Sequence, residues 1–251
     1  MTKSCFAWLA GMVLLVAGPF PPVRAEQTLP SATSEYLSAT FNDKTIDEPI
    51  GTNGPAYGEP DWKHDHIAAI VRATPFTTPC LEISNTSPDE GGTIAFSLVG
   101  APITDGVVAV IVDLWFDEIA EGRSYTLWVR TPDSMHDYLI LQFQDDGLIR
   151  VNDAVGFGGN FPYAAGRPFP ILIGYDMTAG TYSLWLDGAV AFTDRDFSLA
   201  AAGIGVVQLA TWTGGIPEAR LWVDQIRVVD FLPPVAAGET SWGQVKALFG
   251  Q

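Results

Sequence analysis

Along most of this chain, apolar residues come in short runs that alternate with polar ones and are closed by Gly, Pro, Asp or Asn. That is the pattern of strands. It predicts strands over 36–41, 67–72, 80–84, 93–98, 107–116, 125–130, 138–144, 148–152, 170–175, 182–186, 189–192, 204–210 and 219–229. Three connections carry hairpin chemistry: Asp145-Asp146-Gly147, Thr178-Ala179-Gly180 and Asp187-Gly188 each place a residue tolerant of positive φ between two apolar runs. Antiparallel pairing of sequential strands follows. Helical spacing occurs only at the C-terminus, where Trp242, Val245, Leu248 and Phe249 recur three and four apart. No repeat of fixed period marks a propeller or solenoid. So many strands in one chain call for two packed sheets, because a single open sheet of that size needs further layers on both faces. The expected fold class is all-β, a two-sheet antiparallel sandwich with a short C-terminal helical tail.

The two ends read differently from the body. Lys3 gives a positive start, Phe6 to Gly18 is an apolar run shorter than the roughly 20 residues of a membrane span, and Val23-Arg24-Ala25 fits a small-x-small cleavage site. Residues 1–25 are therefore expected to be a signal peptide and 26–35 a flexible leader. The sandwich is expected over 36–231, followed by a Pro/Ala/Gly-rich linker over 232–240 and a tail over 241–251. After signal removal the product would be secreted or cell-surface associated, with no integral membrane segment. Cys5 leaves with the signal and Cys80 stays as a lone thiol, so no internal disulfide forms in the mature chain. A small buried apolar side chain is the simplest role for Cys80.

Composition adds two constraints. Of 251 residues, 47% are hydrophobic and 17% charged, enough apolar material for a substantial core. The net charge of −16 excludes a nucleic-acid partner, which needs clustered cations. The patterning carries no signal for oligomeric state.

Strand parity points to a candidate binding face. In 107–116 the even positions Val108, Val110, Val112, Leu114 and Phe116 are apolar and belong to the core, so Asp113 and Trp115 point the other way. In 125–130 the core set Tyr125, Leu127 and Val129 leaves Trp128 and Arg130 outside. In 138–144 the core set Leu139, Leu141 and Phe143 leaves Tyr138, Gln142 and Gln144 outside. If these strands are neighbours, Trp115, Trp128 and Tyr138 form an aromatic platform edged by Asp113, Arg130, Gln142 and Gln144. Sugars suit such a surface: their C–H faces stack on aromatic rings and their hydroxyls bond amide, carboxylate and guanidinium groups. Strand aromatics that simply pack, or lie under loops, are the alternative.

Phe41-Asn42-Asp43, the hairpin Ile173-Gly174-Tyr175-Asp176-Met177-Thr178-Ala179-Gly180-Thr181-Tyr182-Ser183-Leu184-Trp185-Leu186-Asp187-Gly188 and the closing Leu221-Trp222-Val223-Asp224-Gln225-Ile226-Arg227-Val228 resemble concanavalin A-like lectin/glucanase jelly rolls of the laminin-G-like sort. The likeness spans 36–231 and implies a jelly-roll sandwich. It leaves the activity open among lectins, hydrolases, lyases and structural modules. It also implies a calcium ion, for which Asp43, Asp224 or the Asp145-Asp146 turn are candidate ligands. The tail from Thr240 to Phe249 resembles a Ser-Trp-Gly-x-Val/Ile-Lys-x-Leu terminus of some exported bacterial proteins.

Catalytic signatures are weak. The Glu-x-Asp-x-x-Glu strand of retaining hydrolases with this fold has no counterpart; Asp113 and Asp117 share a face but are roughly 13 Å apart along a strand, too far even for an inverting pair. A pair drawn from different strands stays open. Gln142-Phe143-Gln144 lacks the His of the lyase pattern. His64 and His66 share a face if extended, yet Lys63 intrudes and a solvated loop is the simpler reading. Gly156-Phe157-Gly158-Gly159 precedes no helix and reads as a loop, and Asn85-Thr86-Ser87 is a glycosylation sequon. The expected function is an exported non-catalytic carbohydrate-binding or surface-adhesion module with a poly- or oligosaccharide partner. Its alternatives are a glycan hydrolase or lyase with noncanonical residues, and a structural subunit of an extracellular assembly.

Overall fold

Val107–Phe116 shows how the alternation becomes architecture. Its even positions are at most 1% exposed, and the strand runs through the middle of a sheet with its odd positions on the far side. In this computed structural model the described residues are 35–49, 67–85, 92–133, 135–153, 156–197, 202–212 and 220–230. They form fourteen strands: β1 (Glu35–Thr40), β2 (Ile67–Arg72), β3 (Cys80–Asn85), β4 (Gly92–Ser97), β5 (Val107–Phe116), β6 (Ser124–Arg130), β7 (Asp137–Phe143), β8 (Leu148–Asp153), β9 (Gly156–Pro162), β10 (Pro168–Asp176), β11 (Thr181–Leu186), β12 (Ala189–Asp196), β13 (Val206–Trp212) and β14 (Arg220–Asp230).

All pairings are antiparallel, in two sheets. The eight-stranded sheet runs β12-β11-β10-β5-β14-β3-β2, with β1 also on β14; the six-stranded sheet runs β4-β13-β6-β7-β8-β9. β14 carries a bulge between Val223 and Gln225, where its outer neighbour changes from β3 to β1. Asp224 is the extra residue there.

The core lies between the sheets. Phe116 meets Tyr125, Phe143, Tyr163 and Phe169 at ring-centroid distances of 4.7–6.2 Å, joining β5 and β10 of one sheet to β6 and β7 of the other. At the open edge, Asp153 of β8 has a fully buried side chain held by Arg195 Nε of β12 at 2.5 Å and by the Tyr182 hydroxyl of β11 at 2.7 Å. That cluster ties the two sheets where no backbone ladder does.

All thirteen strands expected from the patterning are present, with ends shifted by a few residues. The three hairpin turns also form where expected, with Gly147, Gly180, Asp187 and Gly188 at positive φ. One strand was missed. The Gly156-Phe157-Gly158-Gly159 stretch is no loop but the start of β9, the edge of the six-stranded sheet. Gly156 and Gly159 at φ 127° and 141° break the alternation that makes a strand visible in sequence. The expected signal peptide, most of the expected leader, the His64/His66 stretch and the expected linker and helical tail lie outside the described residues. Among the described residues, no helix is long and apolar enough to cross a membrane.

Candidate functional site

β6 and β7 form the middle of the six-stranded sheet, and their core-facing set Tyr125, Leu127, Val129, Leu141 and Phe143 is at most 1% exposed. The residues between them must therefore face outward. Trp128 is half-buried at the centre of that outer face. Directly across the ladder it has Gln208 of β13 on one side and Ile140 of β7 on the other, and Asn152 of β8 lies beyond Ile140. Thr126, Gln142 and Arg150 form the adjacent row.

The polar groups of this face are held in place. Arg130 donates from Nε to Asp137 Oδ1 at 2.5 Å and from Nη1 to Gln208 Oε1 at 2.8 Å, and its Cζ lies 5.6 Å from the Trp128 ring centroid. Asn152 Nδ2 donates to Gln142 Oε1 at 3.4 Å. The guanidinium, fixed by two acceptors, lies over the Trp128 ring and restrains it among these side chains.

This arrangement contains three of the expected site residues, Trp128, Arg130 and Gln142. Gln144 lies just past β7, where its backbone closes the turn with Gly147 and Leu148 and accepts the Tyr163 hydroxyl at 2.8 Å. Two placements correct the expectation. Asp113 and Trp115 belong to β5, at the centre of the other sheet, and face its far side. Successive strands β5 and β6 are not neighbours because the connection between them crosses from one sheet to the other. Tyr138 is fully buried in the core against Tyr175 and Phe197, at 6.3 and 5.5 Å. A register shift between Val129 and Arg130 pairs Arg130 with Asp137 but Val129 with Leu139, so Tyr138 is an extra residue turned inward beside Leu139. Gln208 and Asn152 were missed. Applying the same alternation to β13 (Val207 and Leu209 inside) and β8 (Ile149 and Val151 inside) would have found them.

The outer face of the eight-stranded sheet has its own chemistry. Gln225 Nε2 donates to Asp113 Oδ2 at 2.7 Å, and Thr78 Oγ1 donates to Asp224 Oδ1 at 2.5 Å. Burial raises the Asp224 carboxyl above the usual range, the Thr78 bond opposes this, and the charge of Asp113 adds to it. Trp115 packs edge-on to Phe76, and Trp222 is buried with its indole N–H on Glu82.

The calcium expectation does not gather a ligand set. Asp43 pairs with Lys44 at 3.4 Å and Asp224 is engaged by Thr78; Asp145 and Asp146 accept backbone N–H groups of Gly122 and Leu148. Among the described residues, no group of three or more His, Cys, Asp or Glu is placed to hold a metal ion. The sequon residue Asn85 is 1% exposed and donates to the Thr211 carbonyl, so it is no surface acceptor. At the open edge of the sandwich a groove of about 310 Å³ is lined by Phe161, Tyr163, Leu186 and Val190, with the Arg167–Asp187 ion pair at its side.

No family model and no curated protein matches the chain. Solved structures do. The catalytic domain of a glycoside hydrolase family 131 protein from Coprinopsis cinerea superposes with a TM-score of 0.57 at 11% identity, covering 82% of this chain and 98% of that one. The Emp47p carbohydrate recognition domain gives 0.53 at 10%, over 82% and 100%. A sialidase gives 0.50 at 14%, over 75% of this chain, which spans only 19% of the sialidase. With two antiparallel sheets in this order and these neighbours, the chain has the two-sheet jelly-roll sandwich fold of these structures.

Proposed function

We propose that the protein is an exported, non-catalytic carbohydrate-binding or surface-adhesion module, and that its ligand lies on the outer face of the six-stranded sheet. One observation carries this reading. Trp128 is held half-open at the centre of the face by Arg130, among the half-buried Gln142 and Asn152 and above the buried Gln208 that anchors Arg130, while the core beneath is filled without any of them. An indole flanked by planar amides meets both requirements of a sugar, an apolar ring face and a hydroxyl edge. The solved structures that share the fold include a carbohydrate recognition domain and a glycoside hydrolase catalytic domain, so the fold accommodates either role.

Screening the full chain and its Trp128→Ala variant on a glycan array, followed by calorimetry on the best ligand, tests the proposal. Binding by wild type and about tenfold weaker binding by the variant are expected, as loss of ~1–1.5 kcal/mol of ring contact implies. No binding by either protein, or equal binding by both, overturns the assignment.

A second reading, glycan hydrolysis, is favoured by the Asp113 and Asp224 carboxyls on the opposite sheet. Asp224, its carboxyl raised by burial, has the environment of a general acid. Release of reducing ends from polysaccharides by wild type, abolished in Asp113→Ala, would establish it in place of the first.

A further inference from the structure

We infer that the glycan taken by the six-stranded sheet is acidic, bearing carboxylate or sulfate groups that meet Arg150; this rests on the carbohydrate reading and narrows it. The chain has 29 acidic residues against 13 Lys and Arg, so an arginine in this protein finds a carboxylate easily. Arg72, Arg123, Arg167, Arg195 and Arg227 each hold one elsewhere, and Arg130 holds Asp137. Arg150 is different. It is exposed on β8, opposite Gln142 on one side and Asn160 on the other, and among the described residues it has neither a hydrogen-bond nor an ion-pair partner. Strand spacing places it ~12 Å from Trp128, two strands over and one row along, within the span of a short oligosaccharide.

The charge balance of the face supports the same ligand. Arg130 and Arg150 are offset there by Asp137, so the middle of the face is locally positive in a protein of net charge −16. Asp145 and Asp146 sit at the β7–β8 turn, where each already accepts a backbone N–H. The carboxylates on the far face of the other sheet, among them Asp113, Asp224 and Glu82, lie across two sheets packed ~10 Å apart, and they are engaged there: Glu82 pairs with Arg72, Asp113 accepts from Gln225 and Asp224 from Thr78. They scarcely repel an anion seated at Arg150. A guanidinium with free N–H donors takes a carboxylate or sulfate in a two-pronged contact that a neutral hydroxyl cannot reproduce.

The experiment compares oligogalacturonates with cello-oligosaccharides of matched length, at low and high salt, against the full-length wild type and the Arg150→Gln, Arg150→Glu and Trp128→Ala variants. The expected result is tighter wild-type binding to the uronates, weakened by salt, about fivefold weaker in Arg150→Gln and weaker still in Arg150→Glu, with a shallower salt dependence in both. Trp128→Ala should weaken both ligand series. Arg150 is exposed, so unchanged melting of its variants confirms that folding is not the cause. Preference for the neutral series with no effect of Arg150 substitution overturns the acidic-glycan inference while leaving carbohydrate binding standing. Absence of binding to either series, together with a blank glycan array, overturns both.

Discussion

Cys80 is the small buried side chain that its strand-like surroundings in the sequence suggest, and burial makes it inert. The thiol is fully buried at the start of β3, donates to the Thr74 carbonyl at 3.1 Å, and is pushed up to about 11 by burial. At pH 8 a thiol reagent is expected to leave Cys80 of the native protein unmodified and to react with it only after denaturation; fast native labelling of Cys80 would contradict the burial. Asp224 makes the opposite kind of statement. Its folded carboxyl binds a proton more tightly than the same group in the unfolded chain, so it subtracts stability as pH rises through the unfolded value of about 4. Asp224→Asn removes that charge and keeps an oxygen for the Thr78 hydroxyl. Its Tm is expected to exceed that of wild type at pH 7 and to converge with it near pH 3. A lower Tm at pH 7 would show that the carboxylate is stabilising as an anion.

Period-two alternation was legible wherever the strands are regular, which is why β5 and β6 were assigned the correct inner and outer sets. It fails at bulges. Tyr138 was placed outward by counting from Leu139, whereas the register shift opposite Val129 and Arg130 turns both residues into the core. Nothing in the local residue types marks that shift. β9 escaped for a related reason: its glycines carry no side chain to show a face. Between elements, the buried Asp153 joins β8 to β11 and β12, and with it the two sheets. Asp153→Ala leaves Arg195 and Tyr182 without their acceptor and is expected to cost about 2–4 kcal/mol in chemical denaturation, with Asp153→Asn costing less. A loss below about 0.5 kcal/mol, the size of ordinary surface substitutions, would mean the edge does not need this tie.

On the scale of the whole molecule, strand number and turn chemistry determined the sandwich, but not which strands share a sheet. Trp115 and Trp128 sit on consecutive strands and looked like neighbours; the β5–β6 crossover puts them on opposite outer faces. The expected aromatic platform thus reduces to Trp128 with Arg130 and Gln142, gains Gln208, Asn152 and Arg150, and loses Tyr138 to the core. Net charge likewise does not say where charges sit: in a protein of −16 the outer face of the six-stranded sheet carries Arg130, paired with Asp137, and the exposed Arg150. The central claim, that sugar rests on this face and on Trp128, is tested most directly by the indole N–H resonances of the tryptophans during an oligosaccharide titration. The Trp128 resonance, assigned through Trp128→Phe, is expected to shift saturably while those of Trp115 and Trp222 on the other sheet stay fixed; a saturable shift of Trp115 with Trp128 unmoved would contradict the account.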